Sequence, residues 1–137
     1  MPTVRIGRLI DHVHLRARDL SATRRFYRAV LGALEKPIAA DDEKHLSCDE
    51  LWIDALGTDP SAKTHVHLAF QAKDREAVKR FHEAGLAAGG RDNGAPGERS
   101  YHPGYFGAFL LDPDGNNIEA VFHGPAQRSA ESILIEG

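Results

Sequence analysis

The sequence predicts an α+β fold built from two related halves, and three observations carry that reading. The first is a strand-to-helix unit near the start. Ile10-Asp11-His12-Val13-His14-Leu15-Arg16-Ala17 alternates as a strand does, and Asp19-Leu20-Ser21 then breaks the alternation. From Ala22 the apolar residues Phe26, Tyr27, Val30 and Leu31 recur at helical spacing, with Gly32 where a C-cap glycine is expected. The second observation is that the unit returns. His67-Leu68-Ala69-Phe70-Gln71-Ala72 reads as a strand and Asp74 as a helix N-cap. Ala77, Val78, Phe81, Ala84 and Leu86 then form a helix face that stops at Gly89-Gly90. The third is the register of the repeat. Asp19 and Asp74, Arg25 and Arg80, Phe26 and Phe81, and Leu31 and Leu86 all stand 55 residues apart, and the same shift carries His12 onto His67. A shift of 53 would match His12-Val13-His14 with His65-Val66-His67, but it puts the helices two residues out of phase and is rejected.

Bulk properties narrow the function classes. A chain of 137 residues is one compact domain, or two small modules sharing a core. Its 42% hydrophobic and 27% charged residues are ordinary for a globular protein. A net charge of −3 gives no basic footprint, which argues against nucleic acid as a partner. The single cysteine, Cys48, has no internal disulfide partner and fits a reducing compartment. Residues 1–8 show no apolar leader core, and no run is long enough to span a membrane. A cytoplasmic protein is the expectation.

In chain order, residues 34–39 read as a strand with Pro37 at an edge, and Asp41-Asp42-Glu43-Lys44 as a solvated turn. Residues 45–48 and 51–56 read as short strands, and residues 57–61 as the linker between halves. Residues 89–104 carry five glycines and two prolines and read as a long irregular loop, a lid over the site. Residues 106–111 and 117–122 flank Asp112-Pro113-Asp114-Gly115-Asn116, a hairpin turn. Alternation along the second of these strands puts Glu119 and Val121 on one face. The boundaries expected are a first module over about 8–57, a second over about 64–124, and a tail containing Ile133-Leu134-Ile135. Each half is thus a strand, a helix and about three further strands. Pairing the halves is expected to leave a concave sheet surface, with the helices outside.

The repeat places His12 and His67 on opposite walls of one expected cleft, bordered by the strand of Glu119. Two imidazoles and one carboxylate are a ligand set for a divalent transition metal with open coordination positions. The ligand types admit Zn, Fe(II), Ni or Mn. His14 and His65 are read as packed or hydrogen-bonded neighbours, and His45 and His82 as exposed.

Here the sequence resembles the vicinal oxygen chelate superfamily, which holds glyoxalase I, extradiol dioxygenases, and the fosfomycin and bleomycin resistance proteins. The resemblance rests on Asp11-His12-Val13, Asp19-Leu20, Phe26-Tyr27, Val30-Leu31-Gly32, His67-Leu68-Ala69-Phe70 and Asp112-Pro113-Asp114-Gly115-Asn116-Asn117-Ile118-Glu119. It implies paired βαβββ modules forming a curved, incomplete barrel, a single glyoxalase-like domain over 1–137. It also places metal ligands at His12, His67 and Glu119. A fourth, acidic ligand found in glyoxalase I-like members falls here on Trp52, with Glu50 and Asp54 two residues away on the same strand face. His102, His123, Tyr101 and Tyr105 are acid–base candidates, of which His102 and Tyr105 join Glu119 as the expected catalytic groups.

The function expected is that of a metal-dependent enzyme of the glyoxalase or dioxygenase type, a lyase, isomerase or dioxygenase. It would chelate two adjacent oxygens of a small oxygenated substrate at the metal. The alternative is a metal-free protein that sequesters a drug or metabolite, as bleomycin-resistance relatives do. A homodimer is the expected assembly, either side by side or with halves exchanged, with neither nucleic acid nor membrane as partner.

Overall fold

The computed structural model describes residues 4–6, 10–58, 64–125 and 133–135, with side chains over 10–58 and 64–125. The elements run β1 (Val4–Ile6), β2 (Val13–Ala17), α1 (Leu20–Ala33), β3 (Ala40–Asp41), β4 (His45–Cys48), β5 (Leu51–Ala55), β6 (His67–Gln71), α2 (Arg75–Ala87), β7 (Arg91–Glu98), β8 (Phe106–Leu111), β9 (Asn117–Phe122) and β10 (Ile133–Ile135). Two four-stranded sheets result, ordered β2-β5-β4-β3 and β6-β9-β8-β7. Each is a βαβββ module whose first strand lies parallel to its last, and neither closes into a barrel among the described residues. The tail strand β10 pairs with β1 in a separate two-stranded sheet. The expected linker falls largely on residues 59–63, outside the described residues. No described helix is long and apolar enough to cross a membrane.

The helices start where their N-caps say. The Asp19 carboxylate accepts from the Ala22 amide at 3.2 Å, and Asp74 from the Ala77 amide at 2.8 Å. The first helix does not stop at Gly32. It runs to Ala33 and closes one turn later with Glu35 in the left-handed region (φ 60), the Glu35 amide on Gly32 O and the Lys36 amide on Leu31 O. Leu34, only 4% exposed, caps the helix rather than opening a strand, so the strand expected over 34–39 does not form and β3 begins just beyond it, at Ala40–Asp41. Nor is the acidic turn mere solvated surface, because Arg24 and Arg28 both pair with Asp41.

The larger correction concerns residues 89–104. Half of that stretch is β7, an edge strand paired with β8 through two register shifts, one on each side of Gly94 at φ +150. An edge position tolerates the glycines and Pro96 that made the segment read as a loop. The turn left over spans only residues 99–105.

The helices do not lie apart on separate flanks but pack on each other. Their contact is close at Gly85, where a Cβ would come within 2.9 Å of Val30 and 2.2 Å of Leu110. Leu86, expected on the buried face, is 42% exposed, and Gly85 takes the buried position. One core therefore spans both modules, from Leu15, Phe26, Tyr27 and Ile53 to Phe81, Leu110 and Ile118.

The modules are also joined by a buried polar cluster. Asp112 is 2% exposed, and its carboxylate accepts from the Tyr27 hydroxyl (2.6 Å), the Asp114 and Asn116 amides (2.9 Å each) and the Asn116 side-chain amide (2.9 Å). Asn116 Oδ1 in turn accepts from the Val66 amide at 2.8 Å, and Val66 O from the Asn117 amide, which aligns the start of β6 with the start of β9.

Tyr27→Phe removes one donor from a buried carboxylate and should cost about 1–3 kcal/mol, read as a lower midpoint in urea. Burial first, and the Asp112 charge second, raise the Tyr27 hydroxyl well above its ordinary value. Its stabilising share is complete below about pH 10 and is lost as pH climbs through the raised value. The wild type should therefore lose stability in alkali more steeply than the phenylalanine variant.

Cys48 faces the core, and burial, then Asp49 and Glu50, push its thiol up to about 12. It should resist iodoacetamide at pH 8 in the folded protein and react fully in denaturant.

Candidate functional site

Glu119 is the residue around which a site forms. It sits on β9, directly opposite Ala69 of β6 on one side and Phe109 of β8 on the other. A carboxylate there is costly unless paired, because Glu119 is only 2% exposed. Both oxygens are paired. His67, at the start of β6, donates from Nε2 to Oε1 at 2.9 Å, and the Tyr105 hydroxyl donates to Oε2. Partial burial first, then the bond to Glu119, raise the Tyr105 hydroxyl above its ordinary range, so it remains a donor at neutral pH. The His67 side chain is 53% exposed, giving the pair an open side.

Tyr105 belongs to a cluster of four rings. Tyr101, His102 and His123 all meet it edge to face, at centroid distances of 4.9, 5.4 and 5.4 Å. His102 and His123 stack at 5.1 Å and share a hydrogen bond of 2.8 Å between His102 Nε2 and His123 Nδ1. The Pro103 carbonyl can only accept, so His102 Nδ1 carries the hydrogen of the 2.8 Å bond between them. In the neutral pair His123 Nδ1 must then donate to His102. His102 thus packs beside Tyr105 with both ring nitrogens engaged, and it is Tyr105 that touches Glu119.

His12 stands elsewhere. Within one chain no three histidine, cysteine, aspartate or glutamate side chains converge as a metal site among the described residues, so His12 does not join His67 and Glu119 there. It precedes β2 with its side chain 72% exposed, and Nδ1 donates to Asp11 at 2.8 Å. Since the carboxylate only accepts, neutral His12 keeps Nε2 as its basic nitrogen. Around it lies a hollow of about 360 Å³ lined by His12, His14, Asp49, Glu50, Leu51 and Trp52. His14 donates to Asp54 at 2.8 Å, and Trp52 stacks on His45 at 4.0 Å and 8°. Of the three positions weighed for a further ligand, Asp54 is engaged by His14, Trp52 by His45, and Glu50 lines the hollow with His12.

Two histidines read as exposed are not. The His45 side chain is 17% exposed against Trp52 and Asp42, and His82 is 12% exposed with Nε2 donating to Asp92 at 2.9 Å. Gly107 is a further residue of the site, one that ligand type and the repeat do not single out. A Cβ there would stand 3.2 Å from Glu119 Oε2 and 3.3 Å from the Tyr105 ring, so only glycine leaves both groups their places. A glycine inside a strand was the available signal.

Relatives share this architecture. A glyoxalase/bleomycin resistance protein from Albidiferax ferrireducens T118 is 32% identical, covering 80% of this chain and 95% of its own, with a TM-score of 0.69. A glyoxalase-related enzyme from Fulvimarina pelagi, 18% identical, covers 96% and 99% at a TM-score of 0.66. Lactoylglutathione lyase from Agrobacterium tumefaciens, 19% identical, covers 84% and 92% at 0.57. No curated protein matches the sequence. Residues 9–120 match the sequence profile of one family, and with the paired βαβββ modules this settles the classification: the chain belongs to the glyoxalase/bleomycin resistance protein/dioxygenase superfamily.

Proposed function

We propose that the protein is a divalent-metal enzyme acting on a small molecule with two adjacent oxygens, and that two copies of the chain share each metal centre. The observation that carries this is the facing pair His67 Nε2 and Glu119 Oε1, 2.9 Å apart on a buried carboxylate with one open side. Neighbouring nitrogen and oxygen ligands of one metal ion, each about 2.1 Å from it, lie about 3.0–3.4 Å apart. The donor pair therefore fits a metal with a shift of a few tenths of an ångström. His67 and Glu119 would hold it from one chain, and His12 would complete the set from a second copy.

The properties of His12 favour that division. It is exposed, its Nδ1 hydrogen is given to Asp11, and its basic Nε2 is the nitrogen that a metal takes. A bound divalent metal supplies a Lewis acid for negative charge on the substrate's oxygens. The remaining work falls to this chain's own groups. Tyr105 keeps its hydrogen and holds Glu119, while Phe109, whose ring lies 6.1 Å from His67, gives the open side an apolar wall. The rival reading, a sequestering protein of the bleomycin-resistance type, draws on the internal pairing of Glu119, which satisfies the carboxylate without a metal.

Complementation between two defective chains tests the proposal. Wild type purified in metal-replete medium should carry one divalent ion per chain and sediment as a dimer at micromolar concentration. His12→Ala and His67→Ala should each lose the metal and keep the fold. A heterodimer of the two variants should regain one ion per dimer, because one of its two centres then holds His12 and His67 together. No ion in the heterodimer, or a purely monomeric wild type, would sink the shared centre. A wild type without metal would leave the sequestering reading standing.

A further inference from the structure

The hydrogen bond from Tyr105 to Glu119 determines more than the comfort of a buried charge. We propose that Tyr105 is a positioning residue that makes Glu119 a one-oxygen ligand, by holding Oε2 and presenting Oε1 beside His67. The inference rests on the metal reading above. A carboxylate can bind a cation through one oxygen or both, and the choice changes coordination number and the positions left for substrate. Here the two oxygens have different environments. Oε1 meets His67, whose side chain is half exposed, whereas Oε2 points to the Tyr105 hydroxyl beneath the ring cluster.

Tyr105 is held in place from several directions. Its amide donates to His102 O at 3.2 Å, and its carbonyl accepts from the Arg99 amide at 3.0 Å. Three rings pack edge-on against it, and the hydrogen-bonded pair His102–His123 keeps two of them together. On the remaining side Gly107 supplies the room, since a Cβ there would crowd Oε2 and the Tyr105 ring at once. This fixed ring gives its single hydroxyl hydrogen to the carboxylate, leaving none to donate to a substrate. Expected as a catalytic group, Tyr105 instead gives its hydroxyl hydrogen to Glu119. Groups that orient a metal ligand in this way typically contribute about 10–100-fold in metal affinity.

The test uses the full-length protein and Co(II), whose visible spectrum reports coordination number, with affinity measured against a chromophoric chelator. Tyr105→Phe should weaken Co(II) about 10–100-fold. Its spectrum should become weaker and change shape, as expected when the freed Oε2 also binds and coordination number rises. Gly107→Ala, which keeps the hydroxyl but crowds it, should move both readouts in the same direction by less, and gives an independent route should the phenylalanine variant misfold. Tyr101→Phe, which alters the same ring cluster without touching the carboxylate, should match wild type in both. Wild-type affinity and spectrum in folded Tyr105→Phe would overturn the positioning role while leaving the metal centre intact. A wild type that binds no Co(II) would overturn the metal reading and this inference together.

Discussion

The buried Asp112 carboxylate is the constraint on which the rest of the molecule depends. It closes its own turn through two backbone amides and the Asn116 side chain, and it reaches the other module through the Tyr27 hydroxyl. Such a charge is tolerated in the core only because four donors converge on it. Each donor is thereby fixed in turn. Asn116 holds Val66, the residue just before β6, and Asn117 starts β9 beside it. His67 is the first residue of β6, and Glu119 comes two residues after Asn117, so the distance between them follows from this cluster. A slip of one residue in either strand would turn one of the pair to the opposite face of the sheet.

Burial of Glu119 follows the same logic with a different outcome. Asp112 is enclosed by donors that all belong to the scaffold. Glu119 has one scaffold donor, Tyr105, and one partner, His67, whose side chain is half exposed. The first arrangement makes a structural clamp, and the second leaves the carboxylate with one open side. The glycine at 107, between the core residues Phe106 and Ala108, belongs to this second arrangement.

The shared core sets the remaining geometry. Packing at Gly85 and the Tyr27–Asp112 bond join the two modules of one chain through α1 and the hairpin turn. Across the surface, Glu35 adds exposed contacts to Lys73 and Arg80, which contribute little to stability. With the modules joined in this way, His12 remains at the solvent-exposed start of β2 instead of meeting His67 and Glu119. Two residues related by an internal repeat need not meet inside the chain that repeats them.

The sequence by itself determined the local units. Both helices, the Asp74 cap, the order of strand, helix and further strands in each half, the hairpin at Asp112–Asn116 and the shared face of Glu119 and Val121 were legible, because capping, turn chemistry and alternation act between residues close in the chain. The repeat went further and singled out His12 and His67 as equivalent positions. Only the tertiary structure decided which partners those residues meet. Equivalence under a repeat fixes sequence position, whereas contact depends on how helix faces and sheet edges pack across fifty residues or more. The same reason explains β7, whose glycines and proline read as a loop until the pairing with β8 showed an irregular edge. It also explains Tyr105, since an aromatic residue in a turn carries no local sign that a carboxylate fourteen residues later will lie beneath its hydroxyl.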